Sequence, residues 1–250
     1  MPTEKAEALV IRVVEFSESS AVVTLFTREF GKVHALAKGA RRPKGPFESS
    51  LDLLAHVRIV FLRKTSEALD LLTEAKLERR FRALGTALSG LYGAYYVAEL
   101  LNELTDDSDP HPDLFDLAVT TLARLGCEQT PAADVLRFEL GALRILGHLP
   151  SLRNCVECGS PISSTRRVAF GLLDGGVLCE ACRPGKKQIV SISNASLIAL
   201  QALAEGDVDA ASVDRRNFGE LRGVVGRYVC HLLGRKPRLH DYLVADRSSS

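Results

Sequence analysis

Cys155 and Cys158 form one C-x2-C pair and Cys179 and Cys182 a second, with twenty residues between the pairs. Thiolates at that spacing suit one tetrahedral Zn2+, because each short turn presents two sulfurs to the ion from one side. Gly159 and the group Gly171, Gly175 and Gly176 supply the tight backbone that such knuckles need. With all four ligands thiolate, no position stays open for water or substrate, so the expected Zn2+ is structural. Zinc binding to finger peptides contributes on the order of 10–16 kcal/mol, enough to fold a short segment with little core of its own. The competing reading is four buried or redox-active cysteines. Cys127 and Cys230 stand apart among apolar neighbours and read as core residues.

A second chemistry comes from Arg28, Lys32, Lys38, Arg41, Arg42, Lys44, Arg58, Arg63 and Lys64. They face only Glu29, Glu48 and Asp52, giving residues 28–64 a local charge of +6. The stretch KGARRPKGPF combines four cations with Gly and Pro, the composition of an exposed loop whose cations follow a phosphate backbone. A merely solvated loop is the alternative. Arg215, Arg216, Arg222 and Arg227, with Arg235, Lys236 and Arg238 beyond them, form a second basic set, part of which reads as the wet face of a helix. Aromatic support for base stacking is thin: the chain has no Trp and no Tyr before Tyr92, and Phe26 and Phe61 read as core. Phe30 and Phe47 are the platforms left, so nucleic-acid binding should be electrostatic and salt-sensitive. The acidic stretch DDSDPHPD, with Asp106, Asp107 and His111, invites a metal-dependent nucleic-acid hydrolase, but it equally suits a loop and the cap of the next helix. No P-loop, zincin, nucleophile-elbow or dinucleotide motif is present, so no enzyme class has positive support.

The elements that must hold these residues change character near residue 82. Before it, AEALVIRVV, SSAVVTLFT, KVHALAKGA, LAHVRIVFLRK and ALDLLTEAKL read as five strands, broken at residues 15–18, 28–31 and 41–50. Alternation is clearest in the fourth, where Ala55, Val57, Ile59 and Phe61 take one face and His56 and Arg58 the other. After it the period is helical: Leu84, Leu88, Leu91 and Tyr95, then Leu114 to Leu125 closed by Gly126, then a helix opened by Thr130 and Pro131 that is apolar almost all round. Two further helices run from near Ser193 to Gly206 and over 214–234. The expected class is α+β: a five-stranded OB-type β-barrel over residues 1–81, and an α-helical domain over 82–250 with the zinc finger inserted at about 151–187.

The overall charge of +1 conceals +4 over residues 1–82, −7 over 83–150 and +4 over 151–250. The basic flanks admit a nucleic-acid partner, and the acidic middle admits a basic protein, which keeps a DNA-free interaction adaptor open as an alternative. No apolar run approaches the roughly 20 residues that cross a bilayer, and Glu4, Lys5 and Glu7 stand where a signal peptide would be apolar. The expectation is a cytoplasmic, nucleoid-associated protein.

FSESSAVVTLFTREFGKVHALAKGARRP resembles the N-terminal signature of the RecO family. The likeness continues through YVAELLNEL, through FELGALRILGHLPSLRNCVECG into the first cysteine pair, through DGGVLCEAC at the second, and into GRKPRL. The resemblance implies an OB-fold, a helical domain with a zinc finger, binding to single- and double-stranded DNA and annealing of complementary strands. It also implies partnership with RecR in loading RecA onto DNA coated by single-strand-binding protein. It matches Lys38, Arg41 and Arg42 to the family's basic loop and Cys155, Cys158, Cys179 and Cys182 to its metal ligands. Not all members keep the four cysteines, which accords with a structural role.

Overall fold

The computed structural model of the chain describes residues 2–42, 45, 47, 50–64, 68–82, 88–126, 131–162, 166–206 and 213–244. Its first strand, β1 (Thr3–Glu15), is long enough to serve two partners. The first half pairs antiparallel with β4 (His56–Leu62) and the second with β2 (Ala21–Thr27); a register shift between Val10 and Arg12 bends the strand from one to the other. β2 pairs antiparallel with β3 (Gly31–Ala37), and β4 with β5 (Asp70–Arg79). Parallel pairing of residues 35–37 with 70–72 closes a barrel in the order β1-β2-β3-β5-β4. This is the five-stranded OB-type barrel expected from the strand count.

Period-two alternation decides what fills it. Val10, Val23, Leu25, Ala35, Val57, Ile59, Phe61 and Leu72 point inward and are buried, as Ala55 is, while His56 and Arg58 take the opposite face of β4. Phe47 also belongs to this core, and Phe30 packs against it with its ring 5.6 Å from that of Phe61. Neither is an open stacking platform, which corrects the sequence expectation: each ring is worth more under the barrel's apolar floor than in water.

The compact unit that contains the barrel runs from Met1 to Gln129 and so includes α1 (Leu88–Leu104) and α2 (Pro112–Leu125). α1 does not bury the stripe suggested by its large residues; Leu88 is 62% exposed, and the packed face is Gly90, Gly93, Ala94, Tyr96, Val97, Ala98, Leu100 and Leu101. Leu84 lies outside the described residues. Small residues win because they allow close approach: a Cβ on Gly90 would lie 2.8 Å from the Leu125 carbonyl oxygen. Gly126 closes α2 for a similar reason, since it is right-handed and a Cβ there would meet the Arg82 carbonyl oxygen at 2.8 Å. α2 covers the barrel through Phe115, whose ring lies 6.3 Å from that of buried Phe26.

The second unit begins with α3 (Pro131–Ile145), which buries Val135, Leu136, Phe138, Leu140 and Leu143 as its all-round apolarity predicts, together with Asp134 and Glu139. A three-stranded antiparallel sheet follows in the order β7-β6-β8, from β6 (Arg167–Gly171), β7 (Gly176–Leu178) and β8 (Ile189–Ser193). α4 (Asn194–Glu205) is capped by Ser193, whose Oγ accepts from the Ser196 N–H, and ends at left-handed Gly206. α5 (Arg215–Leu232) and the short α6 (His240–Val244) complete the unit. No helix among the described residues is long and apolar enough to cross a membrane.

Candidate metal centre and nucleic-acid interface

The first cysteine pair sits on a turn in which the Cys155 N–H donates to Ser160 O at 2.8 Å and the Gly159 N–H to Cys155 O at 2.8 Å. Gly159 has a φ of +72°, a conformation that a side chain would strain. The second pair repeats the latter bond with the Arg183 N–H to Cys179 O at 3.1 Å, and adds Cys182 N–H to Cys179 O at 3.2 Å. β7 joins the two turns, because the Val156 N–H donates to Val177 O at 2.9 Å and Ser151 pairs with Gly176, where a Cβ would lie 2.6 Å from the Ser151 carbonyl oxygen. Four sulfurs thus converge within 4.8 Å of one another, with Cys158 Sγ 3.8 Å from Cys179 Sγ. A tetrahedral thiolate site with metal–sulfur bonds of about 2.3 Å has edges of about 3.8 Å, so the cluster fits a metal ion of that size.

The electrostatics favour thiolates on the first turn. Burial acts to raise the Cys155 thiol, but backbone N–H groups of Cys179, Cys158 and Glu157 outweigh it and bring the pKa down to about 6. Hydrogen bonds from Ser160 lower Cys158, while hydrogen bonding to Cys179 and Cys158 pushes Cys182 up to about 12 in the metal-free set. A bound cation removes that opposition, since it needs all four deprotonated. Lys186 ties the surroundings together, reaching Asp174 at 2.7 Å and Glu157 at 2.5 Å, and those two carboxylates, Asp174 first, raise its pKa. Among the described residues no other group of three His, Cys, Asp or Glu side chains is arranged to hold a metal. Cys230 is half-buried with its pKa raised by burial, and Cys127 lies outside the described residues.

The predicted cations go to different fates. Lys38, Arg41 and Arg42 follow β3 and are exposed. Arg41 is fixed to the β1–β2 turn: its N–H donates to Ser19 O at 3.1 Å, and its Nη1 lies 3.4 Å from Ser17 O and 3.0 Å from Glu15 Oε2. Lys64 lies across from them, its backbone N–H donating to Asp70 Oδ1 at 2.8 Å, and a cavity of about 370 Å3 is lined by Leu36, Lys38, Lys64, Leu69, Asp70 and Leu71. Arg63 stacks over Phe30 at 5.5 Å, and Arg58 pairs with Glu78 at 3.2 Å. Arg28 makes a two-point bond to Asp116 of α2, at 3.1 and 2.9 Å, which raises its own pKa and lowers that of Asp116. Lys44 lies outside the described residues.

Two predicted DNA-binding residues are taken up by the fold. The Lys32 ammonium donates to Asn102 O at 2.9 Å and Thr105 O at 2.8 Å, with Asp107 at 3.4 Å, which closes the end of α1 against β3. Arg222 is 3% exposed and bonded to buried Glu139, so it cannot meet a phosphate. Arg227 of the same helix is exposed and turns its Nε back to Gly223 O at 2.8 Å; Arg215 and Arg216 fall in the first turn of α5, with side chains outside the described residues.

In the acidic stretch, Asp107 is bridged by Lys32 and His34, and Asp109 Oδ2 lies 3.1 Å from His111. Asp107 therefore braces the loop between α1 and α2 against the barrel, and Gly31 permits the close approach, since a Cβ there would meet the Asp109 backbone at 2.2 Å. Sequence reasoning missed Phe16, 64% exposed at the end of β1. It also missed Arg79 and Arg82, which rim a cavity of about 300 Å3 with Leu9, His56 and Val119; burial lowers the pKa of that histidine.

With this geometry in view, the comparisons are consistent along the chain. The family model for the recombination protein O N terminal matches residues 1–81, and that for the recombination protein O C terminal matches residues 86–240. A DNA repair protein RecO of Rhodopirellula baltica is 40% identical, covering 94% of this chain and 97% of its own. Proteins of the same name from Anaeromyxobacter dehalogenans strain 2CP-C and Myxococcus xanthus are 36% and 34% identical, covering 97% and 95% of this chain and 96% and 95% of theirs. The chain therefore belongs to the RecO family of DNA repair proteins.

Proposed function

We propose that this chain acts in recombinational repair by binding, without catalytic turnover. It holds single- and double-stranded DNA through the barrel, anneals complementary strands and, with RecR, helps RecA load onto DNA coated by single-strand-binding protein. The observation that carries the reading is the grouping of Lys38, Arg41, Arg42 and Lys64 on one side of an OB-type barrel in a member of a DNA repair family. Cations so grouped neutralise phosphates and release counterions, a contribution independent of sequence. DNA binding is assigned to residues 1–81, and the finger at 151–187 holds Zn2+ on Cys155, Cys158, Cys179 and Cys182. Bound there, Zn2+ supplies cross-linking of the two turns, and a full set of thiolates leaves no open position for a reaction. The use of Asp107 as a brace for Lys32 and His34 supports binding over metal-dependent hydrolysis.

The test is the triple change Lys38→Ala, Arg41→Ala, Arg42→Ala, read by DNA affinity at fixed salt. A loss of about tenfold or more on single and double strands is expected; unchanged affinity on both would remove the loop from the binding site.

A further inference from the structure

The outside of the barrel carries an apolar row that the strand register makes continuous. Val14 of β1 stands opposite Val22 of β2, Val22 opposite Leu36 of β3, Leu36 opposite Leu71 of β5, and Leu71 opposite Leu62 of β4. Directly opposed residues share a face, and their sequence neighbours Val23, Ala35, Ala37, Leu72 and Phe61 fill the core, so the row points outward. The neighbouring exterior rows are otherwise engaged: Phe26 is covered by Phe115, and Thr24 and His34 are joined at 3.1 Å with His34 held by Asp107. Val14 is 42% exposed, Val22, Leu36, Leu71 and Leu62 are half-buried, and Phe16 extends the row where the β1–β2 hairpin projects beyond the barrel. Contiguous apolar surface of this kind marks a binding face.

Its surroundings select the occupant. Lys38 and Lys64 line the cavity at Leu36 and Leu71, and Arg41 is tied to the turn that follows Phe16, with Arg42 beside it. Glu15 offsets Arg41, and among the described residues Lys38 and Arg42 make no ion pair. A ligand matched to this face has flat apolar groups at the spacing of a strand row and negative charge along one side. Unpaired DNA has that chemistry, whereas a duplex hides its base faces. Resting on the DNA-binding reading above, we propose that Phe16 and the row from Val14 to Leu71 form a platform for unpaired bases, with Lys38, Arg42 and Lys64 on the phosphates. The barrel thereby distinguishes single strands from duplex.

The chain has no Trp, so Phe16→Trp introduces a single tryptophan at the platform, excited apart from the five tyrosines. We would titrate the full-length wild type, Phe16→Trp and Phe16→Ala with a thymidine oligonucleotide and with a duplex of equal length. Expected are quenching of the Phe16→Trp emission by the single strand, affinity retained in that variant, and about a tenfold loss of single-strand affinity in Phe16→Ala with duplex affinity within about twofold of wild type. Equal affinities of wild type and Phe16→Ala for the single strand, or equal losses on both DNAs, would overturn the platform and leave the row to a protein partner. Failure of the wild type to bind either DNA would overturn the DNA-binding reading as well, which separates the two claims.

Discussion

Arg222 and Arg42 have the same guanidinium and opposite surroundings. Arg222 lies on the buried face of α5 against Glu139 of α3, where removing one partner leaves an uncompensated buried charge. Glu139→Gln should therefore cost about 3–5 kcal/mol in denaturant unfolding, whereas joint replacement by Leu and Met costs far less; equal costs would mean that the pair is solvated. Its partner stands 83 positions away in sequence, so nothing near Arg222 betrays its burial, and it reads as one more cation of a wet helical face. Lys32 was illegible for the same reason, since the carbonyls it serves, of Asn102 and Thr105, lie at and just past the end of α1. The cysteines were legible because their function is written in local spacing. Cys158→Ser should remove bound metal, measured by atomic emission, and abolish hydrogen-exchange protection in residues 176–178; retained metal at wild-type stoichiometry would exclude Cys158 as a ligand.

At the scale of elements, alternation revealed the barrel strands because one face of each is dry. α1 misled because its packed face opens with Gly90, Gly93 and Ala94 and takes leucine only at Leu100 and Leu101, while Leu88 stays exposed. The projecting end of β1 was illegible too, since its exposure depends on where the barrel closes. A pH-sensitive joint lies between β8 and α5. Glu220 Oε2 accepts from the Ser193 N–H at 3.0 Å and its Oγ at 2.7 Å, and Oε1 accepts from Arg167 at 2.7 Å. Burial acts to raise this carboxyl, but the Ser193, Ser196 and Arg167 hydrogen bonds prevail and take it from 4.5 to about 2. A depressed carboxylate contributes stability that is complete above its unfolded pKa and is lost as the pH falls through the folded one. The stability of residues 130–250 should accordingly decline from about pH 5 towards about pH 2, and Glu220→Gln should flatten that limb. An unchanged acid limb in the variant, followed by thermal melting, would assign the loss to other groups.

In the whole molecule, each of the two compact units has a core of its own, and the cysteine cluster belongs to the second of them. Chelation should release the cross-link between the cysteine turns and lower the melting temperature of the unit that holds them, while the barrel, which contains no cysteine, keeps its DNA affinity. Loss of DNA binding on chelation would place part of the interface near the metal. Whether exposed barrel cations grip phosphates is decided by affinity for single- and double-stranded oligonucleotides across a salt series, in wild type and in the Lys38, Arg41, Arg42 triple-alanine variant. Each phosphate contact contributes about 0.9 to the slope of log affinity against log salt on duplex. A steep wild-type slope is expected, falling by about 1.8 in the variant for the Lys38 and Arg42 contacts, since Glu15 offsets Arg41; a flat wild-type response, or equal slopes in the two proteins, would mean that these cations do not hold phosphates.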